Sequence, residues 1–132
     1  MKFRPHHVAL SVKNMEESAK WYEEKLGFEI IKEYNKHGME IALLQLDDIR
    51  IELFCFDSSI KPLPNYMKDV MSGLRVIGIK HLCIEVDDLD GVIKKLTEKG
   101  VEFVGEIDTA FFGGRYIFFK DCNDILIELY QA

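Results

Sequence analysis

Four side chains stand out for the chemistry they could do together: His7, Glu52, His81 and Glu128. Imidazole nitrogen and carboxylate oxygen form a donor set for a divalent metal, compatible with zinc, nickel, cobalt, iron or manganese. Two carboxylates brought into one site repel unless they are protonated or bridged by a cation. Taken singly, each residue has a plainer explanation. A strand histidine is more often a satisfied core or surface residue than a ligand, and a glutamate between apolar neighbours is often the solvent face of an edge strand. The spacing is what favours the metal. His7 and His81 lie 74 residues apart and Glu52 and Glu128 lie 76 apart, so both residue types recur at matched places in the two halves of the chain.

The segments around them repeat as well. His7-Val-Ala-Leu-Ser-Val12 lies over His81-Leu-Cys-Ile-Glu-Val86, and Ile49-Arg-Ile-Glu-Leu-Phe54 over Ile125-Leu-Ile-Glu-Leu-Tyr130. Two matched blocks in the same order indicate a duplicated module. In the first, Val8, Leu10 and Val12 alternate with polar or small residues, a strand period. Asn14 can cap a helix with Glu17 three residues on, Met15, Ala19, Tyr22 and Leu26 form one helical face, and Gly27 supplies the stop. Three strands follow, at Phe28–Tyr34, Met39–Leu46 and Ile49–Phe56. In the second module Asp88 is the cap, Leu89, Ile93 and Leu96 the buried stripe and Gly100 the stop, with strands near 102–106, 115–120 and 124–130. The expectation is an α+β protein: β-α-β-β-β twice, repeats at about 5–56 and 79–130, joined by a loop over 57–78 and forming a single domain over 1–132. Strand alternation then puts His7, Glu52, His81 and Glu128 on the faces turned away from the helices.

Composition narrows the function classes. The 132 residues are 48% hydrophobic and 30% charged, the balance of a globular protein, and 17 basic against 23 acidic residues leave a net charge of −6. A nucleic-acid or anionic-membrane binder would need a basic face instead. Cys55, Cys83 and Cys122 are an odd number with no C-x-x-C pair, which points to reduced thiols and a cytoplasmic setting. The amino-terminal residues carry no signal-peptide pattern, and no apolar run is long enough to span a bilayer. His6 is expected to point away from His7, His37 to sit in a hairpin turn, and Gly113-Gly114 to let the chain turn or approach a ligand.

These blocks, with Trp21-Tyr-Glu-Glu-Lys-Leu-Gly-Phe28, Ile51-Glu-Leu53, Lys80-His-Leu-Cys-Ile-Glu-Val-Asp-Asp88 and Ile127-Glu-Leu-Tyr130, give the chain a resemblance to the vicinal oxygen chelate superfamily. That is the group of glyoxalase I, methylmalonyl-CoA epimerase, extradiol dioxygenases and fosfomycin-resistance proteins. The resemblance implies an open, U-shaped mixed β-barrel with flanking helices around one metal ion. It also implies that His7, Glu52, His81 and Glu128 are the metal ligands and that Glu128, with Glu52 as its partner, is the catalytic base. Four filled positions resemble glyoxalase I and the epimerase more than the two-His, one-Glu branches.

The function so implied is that of a metal-dependent lyase or isomerase of the glyoxalase I type, moving a proton next to the carbonyl of a small thiol adduct of a 2-oxoaldehyde. The metal would be nickel or cobalt in preference to zinc, iron or manganese. Ser11 and Phe56 stand where bacterial glyoxalase I has its glutathione-binding Arg and Asn. The alternatives are a methylmalonyl-CoA epimerase-like enzyme, for which Lys61, Arg75, Lys80 and Arg115 are basic candidates, and a non-catalytic small-molecule binding module. The expected partners are a small-molecule substrate and a second copy of the chain in a homodimer.

Overall fold

The computed structural model describes residues 1–56 and 60–132; the first three residues of the expected 57–78 loop lie outside them. The chain divides into two compact units, Met1–Lys61 and Pro62–Ala132, and one expected repeat falls in each. Each unit carries one four-stranded mixed sheet that does not close on itself, with a helix after its first strand, so the α+β class holds.

In the first unit β1 is Val8–Ser11, α1 Met15–Trp21, β2 Glu29–Lys36, β3 Met39–Leu46 and β4 Ile49–Phe56. Asn14 caps α1, its side-chain oxygen accepting from the Glu17 N–H at 2.9 Å. The helix does not stop at Trp21 but widens into a π-helical turn, Tyr22–Leu26, which Gly27 ends in the left-handed conformation at φ 87°. Met15, Ala19 and Tyr22 are buried as the helical stripe requires. The sheet order is β1-β4-β3-β2, with β1 parallel to β4 and the other pairs antiparallel. His37 and Gly38, both at positive φ, make the two-residue β2–β3 turn.

The second unit repeats the plan. A 3₁₀ turn at Asn65–Met67 and a short helix α2, Val70–Gly73, form within the stretch expected as a loop. Then come β5 (Leu82–Glu85), α3 (Leu89–Glu98), β6 (Phe103–Thr109), β7 (Arg115–Lys120) and β8 (Leu126–Gln131), in the order β5-β8-β7-β6. Asp88 caps α3 through the Gly91 N–H at 3.0 Å. At the β6–β7 turn Gly114 has φ 79°, and a Cβ there would run into the Gln131 carbonyl oxygen and the Tyr130 ring, so glycine is required.

The fourth strand of each module is its core. Ile51, Leu53 and Ile127 are fully buried and Leu129 is 2% exposed. At roughly 1.5–3 kcal/mol per buried side chain, these residues pin the register of their strands.

The Lys120-Asp-Cys-Asn-Asp124 turn is organised by one buried carboxylate. Asp121 Oδ1 accepts from the Asn123 N–H at 2.8 Å and the Ile125 N–H at 2.9 Å. Asp121→Ala would leave both donors unsatisfied, so it is expected to destabilise the protein by about 2–3 kcal/mol. Urea denaturation checks this; a loss below about 0.5 kcal/mol would mean that water replaces the carboxylate.

Candidate functional site

Strand pairing sets each His beside its Glu. In the first unit Ala9 pairs with Glu52 and Glu52 with Leu43, so all three side chains share a face, and His7, two residues before Ala9, joins them. The second unit pairs Cys83 with Glu128 and Glu128 with Phe118, with His81 two residues before Cys83. The expected faces are therefore the observed ones, and each unit brings its own His–Glu pair together. His7 Nε2 lies 3.4 Å from Glu52 Oε1, and His81 Nε2 lies 2.7 Å from Glu128 Oε2.

The two pairs differ. Side-chain exposure is 37% and 20% for His7 and Glu52, but 21% and 16% for His81 and Glu128. The His81 ring also packs edge-on against Phe118, with centroids 4.8 Å apart. At 2.7 Å the second pair is a full hydrogen bond that holds a proton between nitrogen and oxygen. At 3.4 Å the first is too long for an ordinary N–H···O bond. Two donors bound to one ion at about 2.0–2.2 Å, at angles between a right angle and tetrahedral, lie about 3.0–3.5 Å apart. The His7–Glu52 gap fits that spacing directly, and the second pair fits it once the proton is displaced. The donor chemistry suits a divalent metal, although no group of three or more His, Cys, Asp or Glu forms a metal cluster among the described residues.

His6 departs from expectation. It does not turn its ring away; its Nδ1 lies 2.8 Å from His7 Nδ1. Two of the four basic candidates are also committed within their own unit. Arg115 Nη2 bonds Asp90 Oδ2 at 3.0 Å and Gln131 Oε1 at 3.2 Å, while Gln131 Oε1 also accepts the Leu89 N–H at the start of α3. Lys80 Nζ donates to the Val76 carbonyl. Arg75 and Lys61 are exposed.

Sequence alternation missed Lys32 and Tyr34. Together with Leu43 and Glu52 they line a hollow of about 310 Å³. A bulge causes this: Ile30 pairs with Leu44 but Lys32 with Leu43, so Ile31 is looped out and the pleat beyond it is inverted. Ile31 is 49% exposed in consequence. The only signal in the sequence was the weak alternation of Ile30-Ile31-Lys32 itself.

Cys83 sits among the site residues of the second unit. Partial burial of its sulfur first, then the Glu128 charge and hydrogen bond, push its thiol up to about 11, although the residue as a whole is exposed. The thiolate is the nucleophile, so metal-free protein at about pH 8 should alkylate Cys83 about 100-fold more slowly than an ordinary exposed thiol. Glu128→Gln should recover part of that rate, because burial remains the larger cause. Mass-spectrometric iodoacetamide kinetics test this; an unretarded native rate would contradict the assignment.

The comparisons with known proteins bear on the family and the fold. Residues 4–129 match the sequence profile of the Glyoxalase/Bleomycin resistance protein/Dioxygenase superfamily. The chain is 29% identical to the mitochondrial methylmalonyl-CoA epimerase of Bos taurus, over 98% of this chain and 74% of that protein. It is also 29% identical to the ethylmalonyl-CoA/methylmalonyl-CoA epimerase of Cereibacter sphaeroides, over 98% of both. Among solved structures, a glyoxalase family protein from Enterococcus faecalis superposes with a TM-score of 0.81 at 28% identity, covering 96% of each chain. Among the described residues no helix is long and apolar enough to cross a membrane.

Proposed function

The chain belongs to the glyoxalase/bleomycin resistance/dioxygenase superfamily, and from that premise we propose that it is a metal-dependent isomerase that inverts the acidic carbon of an acyl-CoA of the methylmalonyl type. The observation that carries the reading is the pair of His–Glu couples at matched strand positions, in a chain similar over nearly its whole length to two such epimerases.

The relatives favour an epimerase over the glyoxalase I type, and the two carboxylates suit its chemistry. Inversion takes a proton from one face of a carbon and returns one to the other, so it needs two acid–base groups. Transfer between neighbouring carbons, as in the glyoxalase I reaction, can be done by one. The chain offers two carboxylates at matched places in its two halves, Glu128 and Glu52. In this reading His7, Glu52, His81 and Glu128 are the metal ligands, with nickel or cobalt the preferred ion. A divalent ion held there supplies a Lewis acid that makes the hydrogen next to a carbonyl more acidic. Glu128 accepts that proton on a carboxylate oxygen, and Glu52 serves as the second acid–base group. Lys32, across the Glu52 hollow, provides a cation for the free carboxylate of a malonyl-type substrate. The single domain over 1–132 would work as a homodimer in the cytoplasm, where its three cysteines stay reduced.

Solvent deuterium incorporation into methylmalonyl-CoA, followed by NMR, tests the reading. Glu128→Gln keeps a neutral oxygen donor and removes the base, so exchange should fall about 10²–10⁴-fold with the fold intact. His7→Ala should lower the metal content measured by mass spectrometry. Turnover of a methylglyoxal hemithioacetal with none of methylmalonyl-CoA would replace this reading with the glyoxalase I type. Convergent ligands that bind no metal at all would leave a binding module.

A further inference from the structure

Resting on the metal reading of His7, we infer that His6 is a positioning residue: its Nδ1 accepts the Nδ1–H of His7 and so leaves the His7 Nε2 lone pair facing Glu52. The two Nδ1 atoms are 2.8 Å apart, a hydrogen-bond distance, so one ring donates and the other accepts. The distances on the far side of His7 decide which. If His6 were the donor, His7 would carry its proton on Nε2, aimed at the Glu52 carboxylate. Such a charge-assisted bond closes to about 2.7–2.9 Å. The observed gap is 3.4 Å. If His7 is the donor, Nε2 and Oε1 are two acceptors with no proton between them, and they stand apart by the separation that two ligands of one cation would have.

The second module supplies the contrast. Lys80 occupies the place of His6, and its ammonium has no lone pair to offer; it donates to the Val76 carbonyl instead. With no acceptor from that neighbour, His81 presents Nε2 to Glu128 at 2.7 Å, a closed hydrogen bond. Of the two modules, only the first thus uses the preceding residue to direct its imidazole. Metal-ligating histidines commonly donate their second ring N–H to a fixed partner, which sets tautomer and ring orientation. Here a second histidine plays that part.

The test reads the tautomer in metal-free protein, before any turnover. Long-range ¹H–¹⁵N correlation at about pH 8, where free imidazoles are neutral, should show His7 in the Nδ1–H form. His6→Ala should move it toward the Nε2–H form, and His6→Asn, which keeps a side-chain acceptor, should retain Nδ1–H. The His81 signals serve as the folding control and should stay in place. Cobalt affinity by calorimetry should fall about 10-fold in His6→Ala and recover to within about 3-fold of wild type in His6→Asn. A wild-type His7 in the Nε2–H form, or a His6→Ala protein with both tautomer and affinity unchanged, overturns the inference. If His7 holds the His6-dependent Nδ1–H form and yet wild type binds no cobalt, the positioning role stands and the metal-dependent function falls.

Discussion

Everything at the site depends on the register of the fourth strand in each module. Side chains alternate across a sheet with a period of two, so a slip of one residue would turn Glu52 or Glu128 into the core and a leucine or isoleucine out of it. The buried residues that flank each glutamate, Ile51 and Leu53 in one unit and Ile127 and Leu129 in the other, make that slip prohibitive. The first strand of each module then pairs parallel to this fixed strand. That pairing sets the strand opening at Val8 or Leu82 so that the histidine just before it lands beside the carboxylate. The His–Glu couple follows from hydrophobic burial on the opposite face, and little in the couple itself need be favourable.

That is why so much was legible in the sequence. The 74- and 76-residue offsets come from module length, and module length follows from elements whose apolar periods are plain. The strand at Met39–Leu46 and the one at Ile49–Phe56 are bounded as their alternation indicates. Two other ends moved: the second strand runs to Lys36 and the sixth to Thr109, beyond the expected 34 and 106. There the limit is set by how far a neighbouring strand continues to offer hydrogen bonds, which the residues of the strand itself do not encode.

What escaped the sequence was tertiary. Alternation assumes a regular pleat, and the bulge at Ile31 breaks it, which turns Lys32 and Tyr34 onto the Glu52 face. Arg115 looked available because its charge is visible in the sequence and its partners are not; Asp90 and Gln131 are distant in sequence and meet it only in the fold. His6 looked unremarkable because strand geometry sends neighbouring side chains to opposite faces. Both residues precede β1; His7 keeps the strand's alternation, while His6, one residue further out, is not held to it, and the two rings meet.

The duplication kept the couple and changed its surroundings. Across the first sheet, hydrogen-bonded neighbours run Ala9, Glu52, Leu43, Lys32; across the second they run Cys83, Glu128, Phe118, Val104. The first row ends on a cation beside an open hollow and keeps its imidazole more than one-third exposed. The second ends on an apolar side chain, and Phe118 presses on its imidazole. Charge interactions are weaker where water can screen them and stronger where it is kept out. In the proposed reaction the first row would therefore suit holding an anionic substrate that must arrive and leave. In the proposed reaction the second would suit a carboxylate that takes a proton from carbon with little interference from solvent. One folded module, used twice, yields two unlike carboxylates because alternation fixes where each glutamate points and leaves the neighbours on that face free to differ.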